Sequence, residues 1–256
     1  MMTDNDKMNA CGVSEAIGFL LIFSIVIAGI GLVTLYGYPL LMKQQTSADE
    51  QIMEKNMIVL QNDIKSLAYK TVPYKETSLK VGSGTLSVHH ALTPSQSTFR
   101  ISDSVGPDIE FHPGELRYES VGAQTDISLQ NGAVIKRART GEGSVMLAEP
   151  RWFYDDVTKT LVINLISLNS TGTLAKTGIG TVQMKLGETS YVSQNGAGGL
   201  TVTLDYTPDP TQDTSTAWKT YLTRNGWTET GANSYRFADS VNTLVVKRYD
   251  VIVQSI

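Results

Sequence analysis

The sequence predicts an α+β protein: a long N-terminal transmembrane helix, then a mainly antiparallel, sandwich-like β domain that carries one short C-terminal helix. Three observations predict it. Ala16 to Met42 is a run of 27 residues without a charge. Met53, Met57, Leu60, Ile64 and Leu67 then recur at intervals of three and four, the period of one helix face. Beyond Pro73 the chain breaks into short β-branched segments punctuated by Gly, Asn and Pro, which is the pattern of strands and turns.

As a helix rising about 1.5 Å per residue, the uncharged run is roughly 40 Å long, enough to span a bilayer. Its apolar residues, among them Phe19, Leu20, Leu21, Ile22 and Phe23, cover more than one side, as expected where lipid or neighbouring helices replace water. A secretory signal peptide has a shorter apolar core, of roughly 7–15 residues. Pro39, preceded by Gly37, lacks a backbone donor and crowds the previous turn, which predicts a kink in the helix near the membrane boundary. Residues 43–71 read as an amphipathic extension that ends before Val72-Pro73. Its apolar face, widened by Ile52 and Val59, is expected to pack on the β domain, because no heptad repeat persists long enough for a coiled coil.

Within residues 72–256, Leu79–Val81, Thr85–Val88 and Thr98–Ile101 read as strands. Ile127 and Leu129 alternate with polar residues ahead of Asn131-Gly132, a pair tolerant of positive φ and the strongest hairpin signal in the chain. Leu161–Leu168 is apolar on nearly both faces and predicts a central strand, covered on one side by a partner layer and on the other by the long helix or a second sheet. Asp213 or Thr214 can cap a helix that runs through Trp218, Tyr221 and Leu222 to Asn225-Gly226. Leu244 and Val246 are out of phase with Tyr249, Val251 and Val253, which predicts a bulge near Arg248.

Composition excludes several function classes. With 21 Lys and Arg against 25 Asp and Glu, no basic field exists to attract nucleic acid. The single cysteine, Cys11, rules out an intrachain disulfide framework. His89, His90 and His112 are read as surface histidines, since adjacent residues of a strand point to opposite faces and cannot easily chelate one ion together. Asp155-Asp156 and the acidic loop Asp205–Asp213, which includes Asp209, lack calcium-loop spacing and read as turns. Lys136, Arg137 and Arg139 read as a solvated strand end, and the glycines of Ser193–Gly199 as a loop with no phosphate-binding lysine after it. Trp152 and Trp227 are assigned to packing. No catalytic, metal or cofactor motif is present, so no enzyme activity is expected. Asn169-Ser170-Thr171 forms a glycosylation sequon, with Asn169 the candidate acceptor.

The start of the chain is more specific. A short polar leader ends in Cys11-Gly12, and Val13-Ser14-Glu15-Ala16-Ile17-Gly18 opens the apolar helix. This resembles an archaeal prepilin with a class III signal sequence, and the run VSEAIGFLLIFSIVIAGIG, followed by a polar helix and a β-rich region, is similar to archaeal type IV pilin-like membrane proteins. The leader has Lys7 but no basic residue beside the bond, and Glu15 stands third rather than fifth after it. The resemblance implies a leader of residues 1–12, a transmembrane helix of 13–42, cleavage between Gly12 and Val13 by a prepilin peptidase, and an extracellular β domain. It also implies lipid and other pilin-like subunits as partners, and Glu15 as a candidate assembly contact. Two functions follow: a non-enzymatic surface subunit able to enter a filament, or a tethered envelope or ligand-binding module that never polymerises. Cleavage after Gly12 would take 12 residues from 256 and leave 244. Intact-mass and N-terminal analysis of protein from the native host is expected to show a chain that begins at Val13, and a chain that retains its leader would overturn the peptidase assignment.

Overall fold

The computed structural model describes residues 4–70, 72–91, 96–141 and 143–256, with side chains from Ala16 onward except at Ala197. The chain divides into two compact units, Met1–Ala48 and Asp49–Ile256. Helix α1 (Asp4–Leu32) leads into a π segment, Val33–Gly37, and then into α2 (Tyr38–Lys70), whose residues from Asp49 on belong to the second unit. The π segment is closed by Tyr38 N–H donating to the Val33 carbonyl five residues back. It falls just ahead of Pro39, whose missing N–H would leave a regular α-turn incomplete. Where the sequence predicts a kink, the helix carries this π segment.

The second unit is built on β1 (Tyr74–His89), β2 (Thr98–Asp103), β3 (Ile109–Phe111), β4 (Glu115–Ser120), β5 (Thr125–Gln130), β6 (Ala133–Ala138), β7 (Ser144–Ala148), β8 (Phe153–Asp155), β9 (Thr160–Ser170), β10 (Leu174–Leu200), β11 (Val202–Thr207), α3 (Ser215–Arg224), β12 (Trp227–Gly231), β13 (Ser234–Phe237) and β14 (Val241–Ser255). Among the described residues these form a nine-stranded sheet, ordered β7-β6-β5-β4-β1-β10-β14-β9-β8, and a five-stranded sheet, ordered β12-β13-β11-β2-β3. Neighbouring strands are antiparallel, except that β9 and β14 run parallel from Thr160↔Thr243 to Ser170↔Val253. The α+β class and the short C-terminal helix are as the sequence predicts.

The nine-stranded sheet is covered on both faces. On one face α2 inserts Met53, Met57, Leu60, Ile64 and Leu67, all fully buried, against Leu86, Tyr118, Ile127, Leu168, Val182, Val251 and other side chains. Ile52 and Val59 do not widen this stripe; they remain 42% and 47% exposed. Polar rows key the helix on both flanks. Asp49 accepts from Ser83 N–H at 3.1 Å, Asn56 donates to the Lys80 carbonyl at 3.2 Å, and Asp63 accepts from Thr77 Oγ1, a row at intervals of seven that grips β1. Glu50 and Glu54 hold Lys136 at 2.7 and 2.8 Å, and Gln61 donates to the carbonyls of Gly132 and Glu149. Gly82, at φ +69°, sits at a register break of β1 and packs so closely on Asp49 that an added Cβ would lie 2.8 Å from its Cγ.

On the other face, Ile135, Leu161, Ile163, Leu165, Leu244 and Val246 meet Phe99, Ile101, Val202, Leu204, Tyr206, Tyr235 and Phe237 of the smaller sheet, with Trp218, Tyr221 and Leu222 of α3. Asp213 Oδ1 accepts from Ser215 N–H at the start of α3, and Gly226, at φ +84°, follows its end. The β5–β6 turn has Asn131 at φ +47° and Gly132 at φ +72°, as its residues demand.

Three further expectations need correction. Leu161–Leu168 is covered on both faces, but as β9 it stands next to the short edge strand β8 rather than at the centre. The phase change in β14 is no bulge near Arg248: pairing with β9 is unbroken, and the two phases are the two sheet faces, Leu244 and Val246 entering one core and Val251 and Val253 the other. The bulge lies on the partner strand, where Gly187 and Glu188 of β10 stand opposite Asp250 alone. The glycines of Ser193–Gly199 lie within β10, in a register break between Asn195↔Thr243 and Leu200↔Val241.

Leu60→Ala removes a fully buried side chain from the helix–sheet core and is expected to cost about 2–5 kcal/mol. Val59→Ala, one residue away but half exposed, is expected to change stability by about 0.5 kcal/mol or less. Urea unfolding of the two variants checks the pair, and equal losses would contradict the docking.

Candidate functional site

Among the described residues one helix, Ala16–Lys70, is long and apolar enough by length and composition to cross a membrane. Its apolar side chains lie open, with Phe19 72%, Leu20 64% and Leu35 71% exposed. Ser24 Oγ donates to the Leu20 carbonyl at 2.7 Å and Thr34 Oγ1 to the Ile30 carbonyl at 2.8 Å, so both hydroxyls are satisfied within the helix. Gly12, Val13 and Glu15 belong to α1, but their side chains, like that of Cys11, lie outside the described residues.

In the second unit the sequence-predicted cations are not a solvated strand end. Lys136 is held by Glu50 and Glu54, while Arg137 and Arg139 converge on the buried carboxylate of Asp126 at 3.0 and 2.6 Å. Their partners lie up to 86 residues away in the chain, so local spacing carries no sign of the pairing. Asp155 and Asp209 are in turns, Asp155 Oδ1 accepting from Val157 N–H at 3.0 Å and Asp209 Oδ1 from Thr211 N–H at 2.7 Å, but Asp205, read as part of the same loop, lies in β11, paired with Arg100 and Ser234. Asp209 also joins a buried cluster, with Arg117 donating to it at 3.2 Å and to Glu115. Burial pushes the Glu115 carboxyl above its usual range, against the pull of Arg117 beside it. Gln130 continues this polar spine, its Oε1 accepting from Trp218 Nε1 at 3.2 Å and more distantly from Ser97 and Tyr206. Trp152 packs on Phe99 and Trp218, and Trp227 on Phe237.

A cleft of about 660 Å³ opens where the smaller sheet stops covering β9 and β14, within the ~300–1,000 Å³ range of small-molecule sites. Its floor includes Ser167 and Asn169 of β9 and Asp250 of β14; Arg248, Glu188 and His112 stand around it, and His90 borders it. Asp250 Oδ1 accepts from Ser167 Oγ at 2.8 Å and from Asn169 Nδ2. The Arg248 guanidinium lies over the Phe111 ring, 5.4 Å from its centroid. His112 pairs with Glu110 at 3.3 Å and shares a hydrogen bond with Thr98 at 3.2 Å. Asn169, the sequon asparagine, thus sits in a paired strand with its amide nitrogen engaged, and no group of three or more metal-ligating side chains occurs among the described residues.

A family model described as a family of unknown function, DUF7289, matches residues 11–255. The chain belongs to that family. No curated protein and no solved structure matches it.

His89 is half-buried beside Arg117, with Nε2 3.1 Å from Ser87 Oγ. Desolvation first, and then the Arg117 charge, hold its pKa below the ordinary 6.5. A lowered folded-state pKa gives stability that is complete above about 6.5 and is lost as pH falls toward the folded value. Urea midpoints are therefore expected to drop between pH 7.5 and about 5.5 in the wild type, and to drop less in His89→Gln. An equal drop in both would remove His89 from the effect.

Proposed function

We propose that this DUF7289 family member is a non-enzymatic cell-surface subunit resembling a type IV pilin, held in the membrane by its N-terminal helix and assembled beside other pilin-like subunits. The observation that carries the reading is the helix from Ala16: it is uncharged to Met42, its large apolar side chains are exposed, and Ser24 and Thr34 satisfy themselves within it. Such a surface is stable only against lipid or other apolar helices. Prepilin peptidase removes residues 1–12 on the cytoplasmic side, and the β domain stands outside the cell. The helix first anchors the subunit and then supplies its packing surface in a filament.

Glu15 is the assembly contact in this reading. A charge at the start of a segment that otherwise avoids charge costs on the order of 2–3 kcal/mol at bilayer depth unless it is paired. Its partner is the new α-amine at Val13 of a neighbouring subunit, which sets axial register. A carboxylate at headgroup depth, favoured by the positive end of its own helix, is the simpler role. A second reading, a tethered binding module that does not polymerise, is favoured by the cleft over β9 and β14.

Glu15→Gln keeps the size and removes the charge. It is expected to leave insertion and cleavage intact while sharply reducing sheared surface fibres that contain this chain, as scored by immunoblot and electron microscopy. Undiminished fibres would eliminate the register role, and fibres absent from both strains would favour the tethered module.

A further inference from the structure

The cleft is a continuation of a core, and that is what makes its chemistry informative. On β9, Leu161, Ile163 and Leu165 face the smaller sheet; two and four residues further along the same face stand Ser167 and Asn169. On β14, Leu244 and Val246 enter that core, and Arg248 and Asp250 follow at the same spacing. The side chains of one face therefore change from apolar to polar within both strands, at Arg248 opposite Leu165 on β14 and one pair further on, at Ser167 opposite Asp250, on β9, where they line a cavity of about 660 Å³.

The polar floor is held in place rather than loosely solvated. Asp250 Oδ1 accepts from both Ser167 and Asn169, and Arg248 is stacked on Phe111. The bulge at Gly187–Glu188 lies opposite Asp250, and a Cβ at Gly187 would lie 2.9 Å from Asp250 Oδ2 and 3.2 Å from the Asp250 carbonyl, so the strand packs closely there. The bulge also delivers Glu188 to the cleft wall. Asn169 Oδ1 is buried and has no hydrogen-bond partner, while its Nδ2 is fixed on Asp250.

From this cluster we propose that the cleft binds an uncharged carbohydrate. Sugar hydroxyls both donate and accept, as the lining requires: the Asp250 and Glu188 carboxylates take donated hydrogen bonds, and the Arg248 guanidinium donates to ring and hydroxyl oxygens. Ser170, Thr171, Thr189 and Ser190 add hydroxyls at the rim. Two carboxylates, Asp250 and Glu188, against the single guanidinium of Arg248 disfavour a phosphate, sulfate or uronate ligand. The proposal is independent of filament assembly, since a pilin-like subunit and a tethered module can each carry such a site.

The test uses the full chain in a zwitterionic detergent without a sugar headgroup, titrated by calorimetry with glucose, galactose, mannose, N-acetylglucosamine and their β-linked disaccharides, and with glucuronate and tetramethylammonium as charged probes. At least one neutral saccharide is expected to bind saturably at or below about 10 mM, and Asp250→Asn is expected to weaken it about tenfold or more. Glu188→Gln alters an exposed wall residue and is expected to weaken binding severalfold with unchanged melting, so it decides the question if Asp250→Asn unfolds. Binding of charged probes alone, no saccharide binding, or saccharide affinity unchanged in the folded variants would each overturn the proposal.

Discussion

A sheet with apolar side chains on both faces has to be covered twice, and the second unit is organised by that requirement. β9 and β14, paired in parallel, send Leu161, Ile163, Leu165, Leu244 and Val246 one way and Ile166, Leu168, Val251 and Val253 the other. Parallel strands buried on both faces read as nearly continuous apolar runs. The helix segment from Asp49 covers one face, and the five-stranded sheet with α3 covers the other. Where the second cover runs out, the same two strands turn polar and the cleft begins.

The helix cover is specific because its apolar stripe is narrow and its flanks are polar. Asp49, Asn56 and Asp63 engage β1 and its bulge, while Glu50, Glu54 and Gln61 reach β5, β6 and the turn between them. A helix rolled about its axis would bury these groups without partners, at a cost that apolar contacts alone would not impose. Asn131 takes part from the other side: fully buried in the hairpin turn, it accepts from Ile166 N–H at 3.0 Å, so a turn residue also ties β9 to the β5–β6 hairpin.

Features with a local cause were legible in the sequence. Met53 through Leu67 carry the helical period, Asn131-Gly132 tolerate positive φ, and Asp213 with Gly226 bracket α3. Each is read within about a dozen residues. The misread features depend on distant partners. The two phases of β14 suggest a bulge only if one core is assumed, whereas two cores make both phases regular. Lys136 looks solvated until Glu50 and Glu54 come beside it. Ser167, Asn169 and Asp250 meet across 83 positions, so no motif of fixed spacing announces the cleft, although Asn169 was already conspicuous as a sequon. The glycines of Ser193–Gly199 fit a register break within a strand as well as they fit a loop.

The position of β14 also orders events during synthesis. It is the last strand in the described chain, yet it lies between β10 and β9 and supplies side chains to both cores. As a nascent chain leaves the ribosome, every other strand emerges before the 15-residue segment that joins the two halves of the large sheet. Until then β9 and β10 present unpaired edges, the state in which sheets recruit foreign strands and aggregate. Loss of the C-terminal strand would thus do more than trim the domain. It would leave a half-built sheet dependent on chaperones, and such a chain is a ready target for quality-control proteolysis.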